Sequence, residues 1–156
     1  MSKEIYMKTL IHIIYASIAN VDFDDTKLIE LLTIAREKNS HLNVTGMLLY
    51  CDYNFFQVIE GEELIIQTLF ENIKNDPRHK NVTIIVKEPI QSRSFAKWTM
   101  GFSNATKEQL SMVEGMNDFF NEEKFLVNIK PGRAKKILEA FSSGRWRLAD
   151  DAEVLK

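Results

Sequence analysis

The sequence predicts an α+β fold: one mixed β-sheet with two helices on one face and further helices on the other. Three observations carry this. Short runs rich in Ile, Val, Leu and Phe have the composition of strands. Two longer stretches between them place apolar residues at helical spacing. The order in which they follow one another is strand, helix, strand, strand, helix, strand, strand, so that a strand–helix–strand unit occurs twice.

The first strand is "TLIHIIYAS", whose alternation sends Ile11, Ile13 and Tyr15 to one face and Leu10, His12 and Ile14 to the other. Asp24 or Asp25 caps the first helix, "DTKLIELLTIAREKN", where Leu28, Leu31, Leu32 and Ala35 form one apolar stripe and Asn39 stands at the end. Two apolar runs joined by the polar "CDYN" read as a hairpin, "NVTGMLLYCDYNFFQVIEG". Glu62 and Glu63 favour the start of a second helix, with Ile66, Leu69, Phe70 and Ile73 on one side and Pro77 as its stop. "VTIIVKEPI" is a fourth strand ended by Pro89. "FAKWTMGF" reads as a fifth, with Ala96, Trp98, Met100 and Phe102 on a common face.

Right-handed crossovers place both helices of βαββαβ on the same face, which is the ferredoxin-like arrangement with one added strand. The first and third strands are expected to be central, parallel neighbours, with Tyr15 and Gln57 facing each other. Beyond residue 103, "KEQLSMV", "MNDFFNEEKFLVNI" and "PGRAKKILEAFSSG" read as helices for the open face. In the last of these, Pro131 marks the start, Ala134, Ile137, Leu138 and Phe141 form a stripe, and Gly144 follows the end. Residues 1–103 are therefore expected to form the functional domain and 104–156 a helical extension packed on the sheet.

Composition narrows the function. With 156 residues the chain holds one domain and an extension, too short for a sensor joined to a separate enzyme. The net charge of −2 and the mixing of signs along the chain argue against nucleic acid and against a polybasic membrane patch. A single cysteine, Cys51, allows no intramolecular disulfide and no multi-cysteine metal site, as expected of a cytoplasmic protein. Lys3 and Lys8 ahead of "TLIHIIYASIA" imitate a signal peptide, but the run is β-branched and interrupted by His12 and Tyr15, so it reads as a strand. His12, His41 and His79 are scattered, which favours buried or hydrogen-bonded structural roles for each. No HExxH, GxSxG or GxxxxGK[ST] pattern occurs, and no enzyme is expected. Glu60 and the glutamates after it are read as a strand end and a helix start complementing the helix dipole.

One residue resists this reading. Gln57 lies among Phe55, Phe56, Val58 and Ile59, so its amide should be withdrawn from water. Each donor or acceptor left unmet there costs about 1–3 kcal/mol. Alone, Tyr15 reads as a core-edge tyrosine, Asn39 as a helix C-terminal residue, and Trp98 and Met100 as core packing. The coarse fold, however, gathers them around Gln57.

The sequences that carry this set are "IIYAS" around Tyr15, "AREKNSHLNVTGMLLY" with Asn39 and Thr45-Gly46, "FFQVIEGEE" around Gln57, "DPRHKN" after the second helix and "FAKWTM" with Trp98 and Met100. In these motifs, in unbroken order over residues 9–103, the chain resembles the BLUF domains, sensors of blue light using a flavin. The resemblance implies a non-covalent flavin, FAD with FMN as the alternative, lying between the two helices. Gln57 would bridge the Tyr15 hydroxyl and the flavin, Asn39 would bond the polar edge of the ring, and Leu31 and Ile73 would pack on its faces. Asn72 stands where many relatives carry Arg or His beside the flavin, and Lys38, next to Asn39, is the residue expected to compensate. Ala35 replaces the serine that some relatives place near the glutamine. Asp76, Arg78 and His79 are expected to be loop scaffold.

The implied mechanism is photochemical: Tyr15 gives up an electron and then a proton by way of the Gln57 amide, which rearranges by rotation or tautomerisation and shifts the flavin absorption to the red. Trp98 and Met100 on the fifth strand would pass the change to the C-terminal helices. The resemblance further implies a downstream protein partner in trans and a homo-oligomer, dimer or larger. The alternative is a flavin-free binding module of the same fold that recognises a protein or small ligand.

Overall fold

The computed structural model describes residues 9–97, 99–104 and 129–142. Strand β1 is Leu10–Ala19, helix α1 Asp25–Leu42, strand β2 Thr45–Cys51, strand β3 Asn54–Glu62, helix α2 Glu63–Lys74, strand β4 His79–Pro89, strand β5 Gly101–Asn104 and helix α3 Pro131–Ser142. The strands form one mixed sheet in the order β4-β1-β3-β2-β5.

β1 and β3 are the central neighbours that the sequence predicts, but they run antiparallel, with Tyr15 directly opposite Gln57. The expectation of parallel strands is corrected by the way the two crossovers interleave. Each helix joins strands that are next-but-one neighbours, so β3 fits between β1 and β2 in the opposite direction, and β1 fits between β3 and β4. Only the added strand is parallel to its neighbour, through Met47↔Gly101 to Tyr50↔Asn104.

The β2–β3 hairpin closes on two residues, Asp52 and Tyr53, both at positive φ (48° and 68°), which matches the right-handed twist of the strands. Gly46 is fixed by contact: a Cβ there would lie 2.0 Å from the Val58 carbonyl oxygen. No side chain fits between β2 and β3 at that point.

Both faces of the sheet are covered. On one, Ile11, Ile13, Tyr15, Leu48 and Ile59 meet Leu28 and Leu32 of α1 and Ile66, Leu69 and Phe70 of α2. On the other, Ile14, Ala16, Met47, Leu49, Phe56 and Val58 meet Ala134, Ile137 and Leu138 of α3. The two-sided burial explains why the central strands read as nearly continuous apolar runs. It also gives the expected place to the helix that begins at Pro131. Phe141 lies in α3 without a described side chain, and Gly144 and the two helices expected over 107–113 and 116–129 lie outside the described residues except for Ile129, which is buried in the core beneath α3.

Two boundaries differ from expectation. Helix α1 runs three residues beyond its predicted end, capped at its start by Asp24 and at its end by Asn43 in the left-handed conformation. Asn39 is therefore a buried residue of the last turn and not the terminal one. The fifth strand is shorter than predicted: Phe95–Lys97 and Thr99–Met100 form bends and turns, and Trp98 lies outside the described residues. Ala96 is exposed while Phe95 is buried on the α3 face, so the period-two reading fails before Met100.

Candidate functional site

Helices α1 and α2 diverge over the middle of the sheet and leave a cavity of about 200 Å³. Its floor is the odd-numbered face of the two central strands, Tyr15 from β1 and Phe55, Gln57 and Ile59 from β3. Leu31, Ile34, Ala35, Lys38 and Asn39 reach it from α1, and Leu69, Asn72 and Ile73 from α2. Every site residue singled out in the sequence is thus brought to one cavity except Trp98, which lies outside the described residues. Lys38 and Asn72 are exposed at its rim, whereas Leu31 and Ile73 are partly buried against the core.

The register of β1 against β3 makes Tyr15 and Gln57 a cross-strand pair, and both are buried. The Tyr15 hydroxyl donates to Gln57 Oε1. Burial pushes the Tyr15 phenol well above its ordinary pKa, and the Asp76 carboxylate acts in the same direction. An edge-on contact with Phe70, ring centroids 5.5 Å apart, holds the ring in place.

Gln57 Nε2 donates one hydrogen bond to Met100 Sδ at 3.3 Å, a weak acceptor. Among the described residues no partner takes the second amide hydrogen, on a side chain that lines the cavity. The site therefore has an amide donor to spare on a buried side chain that lines the cavity. Met100 is held by its backbone: Arg36 Nε donates to its carbonyl oxygen at 2.8 Å, and Asn39 Nδ2 donates to that of Thr99 at 2.8 Å. Asn39 thus has a structural bond as well as a place in the cavity wall.

Asp76, Arg78 and His79, expected as loop scaffold, are scaffold and also line the cavity. Arg78 grips Asp76 with Nη2 at 2.6 Å and Nε at 3.0 and 3.1 Å, which holds the Asp76 carboxyl below the usual range. His79 Nε2 donates to the Ile73 carbonyl oxygen at 2.5 Å, so Nδ1 is the acceptor for the Ser17 hydroxyl at 2.9 Å. His12 meets Glu88 at 2.8 Å on the other face of the sheet. His41, by contrast, is exposed in the last turn of α1, where a basic side chain suits the helix dipole, so its expected buried or bonded role is not what the structure has.

Glu60 has a role beyond its strand-end reading. It is fully buried, and its side chain accepts from the Thr45 hydroxyl at 2.8 Å and from the backbone N–H groups of Ser94 at 2.7 Å and Phe95 at 2.9 Å. Glu60 lies near the strand end as expected, two residues before the end of β3, and Glu63 stands in the first turn of α2 as the helix-dipole reading has it, but the Glu60 carboxylate is also a buried acceptor, which the strand-end reading did not include. The signal available in the sequence was the same one that exposed Gln57, a polar residue inside an apolar strand. Phe55 and Ile59, not singled out as cavity residues, were legible too, since they share the face of Gln57 at period two.

The cavity fits a flat aromatic ring with polar edges: apolar walls from two helices and a few converging amides. Among the described residues no group of His, Cys, Asp and Glu could hold a metal ion. The family model described as "BLUF: Sensors of blue-light using FAD" matches residues 10–101. The chain is 32% identical over 115 residues to the photoactivated adenylate cyclase subunit beta of Euglena longa, covering 73% of this chain and 13% of that protein. It is 34% identical over 85 residues to the blue light- and temperature-regulated antirepressor BluF of Escherichia coli (strain K12), covering 54% of this chain and 21% of the antirepressor. The chain thus spans less than a quarter of the length of these curated relatives. Among solved structures, the ground state of BlsA matches with a TM-score of 0.75 at 26% identity, covering 94% of this chain and 99% of that one. The dark state of BlrB, with a TM-score of 0.70 at 24% identity over 88% of this chain and 98% of that one, shares the fold.

Proposed function

From the premise that this chain belongs to the BLUF family of flavin-binding blue-light sensors, we propose that Tyr15 and Gln57 are its photochemical pair and that it signals to a protein partner. The observation that carries the reading is the buried Tyr15–Gln57 hydrogen bond on the cavity floor, beside an amide hydrogen without a partner among the described residues. Leu31 and Ile73 would hold the ring faces of the flavin, and Asn39, Gln57, Lys38 and Asn72 its polar edges. Bound there, the flavin supplies absorption of blue light and, once excited, an acceptor for one electron.

The rest of the chemistry belongs to the chain. Burial keeps the Tyr15 phenol neutral, with its proton already shared along one bond. A phenol that loses an electron becomes strongly acidic, and among the described residues the acceptor for its proton is Gln57 Oε1. Return of the electron draws the proton back to Tyr15. The amide then settles with its oxygen and nitrogen exchanged or as its imidic tautomer. Either outcome changes what Gln57 offers to the cavity and to Met100 Sδ, because Nε2 at present holds that contact. The reading involves no turned-over substrate.

We assign FAD as the cofactor, with FMN as the alternative, residues 1–103 as the sensor and 104–156 as an extension that receives the signal. The position of α3 on the second face of the sheet supports this division. Among the described residues no helix is long and apolar enough to cross a membrane. The proposed setting is the cytoplasm, with a homo-oligomer as the functional form.

The test is optical. The purified protein is expected to be yellow and to show a reversible red shift of its visible bands under blue light, and acid release with chromatography identifies the flavin. Tyr15→Phe and Gln57→Leu are each expected to keep the flavin and lose the shift. A colourless protein that does not take up FAD would refute the reading in favour of a flavin-free binding module.

A further inference from the structure

Glu60 is a fully buried acidic side chain on the central strand, three positions after Gln57 and on the opposite face of the sheet. Such a group is retained only if its acceptors are filled, and here they are filled by the chain beyond β4. The N–H groups of Ser94 and Phe95 converge on its two oxygens, and the Thr45 hydroxyl adds a third bond. Arg93 ties the same place together from outside: Nη1 donates to Thr45 Oγ1 at 2.7 Å and to the Glu60 carbonyl oxygen at 3.1 Å, and Nη2 to the Asn43 carbonyl oxygen at 2.8 Å. Thr45 Oγ1 accepts from Arg93 and donates to Glu60, so the order of donors is fixed.

The segment between β4 and β5 is therefore fixed at two points. Its near end, Thr99 and Met100, is bonded to Asn39 and Arg36 of α1 on the cavity face. Its far end, Ser94 and Phe95, is bonded to Glu60, and the Phe95 ring enters the core that α3 covers. One short stretch of chain thus crosses the sheet edge from the atom that touches Gln57 to the core beneath α3.

Resting on the proposed photochemistry, we infer that Glu60 is a positioning residue: it holds the far end of this stretch so that a change at Met100 is delivered to Phe95 and α3. Without the anchor, the same change is absorbed between residues 94 and 100. Glu60→Gln is the direct variant, because its amide nitrogen cannot accept and so one of the two backbone N–H bonds is lost. Arg93→Met is the second variant; it leaves the Glu60 bonds in place and removes their outer support.

The experiment is amide hydrogen exchange on the flavin-loaded full chain in the dark and under blue light, alongside the absorption spectrum. In Glu60→Gln the amides of Ser94 and Phe95 are expected to exchange at least about tenfold faster in the dark. The red shift is expected to persist, whereas the light-dependent change in exchange across Pro131–Ser142 expected of the unaltered protein is lost. Arg93→Met is expected to reduce that change. The inference is overturned if α3 responds fully in Glu60→Gln. It is also overturned if the red shift itself disappears in a folded Glu60→Gln protein, or, should Glu60→Gln not fold, if Arg93→Met leaves the α3 response unchanged. An unaltered protein without a red shift would instead refute the photochemical reading, while the dark exchange at Ser94 and Phe95 would still report the anchor.

Discussion

The Tyr15–Gln57 bond can be measured without light. Tyr15→Phe deletes the donor and leaves Gln57 Oε1 facing an apolar ring at a site only 7% exposed. Gln57→Leu deletes the acceptor and strands the Tyr15 hydroxyl, on a side chain 3% exposed, among Ile13, Ile59 and Phe70. Either change should cost about 1–3 kcal/mol, the penalty for an unmet buried group. In the double variant both polar groups are gone and two apolar side chains meet, so its cost should be well below the sum, with a coupling of about 1–3 kcal/mol. For a chain of this size that places the single variants roughly 2–10 °C below the parent in Tm. Urea unfolding of the four proteins at neutral pH, with no added flavin and with saturating flavin, reads the cycle and separates the contribution of the ligand. Strict additivity, within about 0.5 kcal/mol, would show that the two side chains do not depend on each other and would remove the basis for treating them as one unit.

Two further outcomes follow from other contacts. Gly46→Ala should destabilise the fold by about 3 kcal/mol or more in the same unfolding assay, because the new methyl meets a backbone carbonyl at 2.0 Å and not a movable side chain. Glu88, held by His12 and then by Lys135 with Nζ at 3.1 Å, has its carboxyl pKa lowered on folding. Its contribution is present above the ordinary carboxylate range and is lost as pH falls through the lowered value, so Tm should drop less steeply from about pH 5 to pH 3 in Glu88→Gln than in the parent.

Much of this architecture was legible because both faces of the sheet are buried and both helices are amphipathic. Ile13 and Tyr15 could be assigned to one face and Ile14 to the other by alternation alone, and Leu28 and Leu32 by helical spacing. Gln57 was legible as an anomaly, a polar group whose burial demands a partner. Strand direction was not, since periodicity carries no sign, and interleaved crossovers reverse the neighbour that a simple crossover would supply. The fifth strand was over-read for a different reason. "FAKWTM" alternates well enough, but Phe95 is drawn to the α3 face by the hydrogen bonds that it and Ser94 make to a residue distant in sequence, Glu60, and no local pattern encodes such a pull. Asn39 could be placed near a helix end, whereas its bond to the Thr99 carbonyl depends on where β5 closes.

With Gln57 as the proposed switch, its position in the sheet sets how the protein wears with use. Its strand is bonded on both sides, to Tyr15 across one ladder and to Leu48 across the other. The backbone under the amide is thus held by ladders on both sides, which leaves the side-chain torsions to turn. Each excursion therefore begins and ends on the same register, with no strand to re-pair and no partner to find again. The sheet edge is built differently: β5 is four residues long and, among the described residues, pairs with β2 alone. On the proposed photochemistry, a strand paired on both sides beneath the switching amide returns it to the same seat after every cycle.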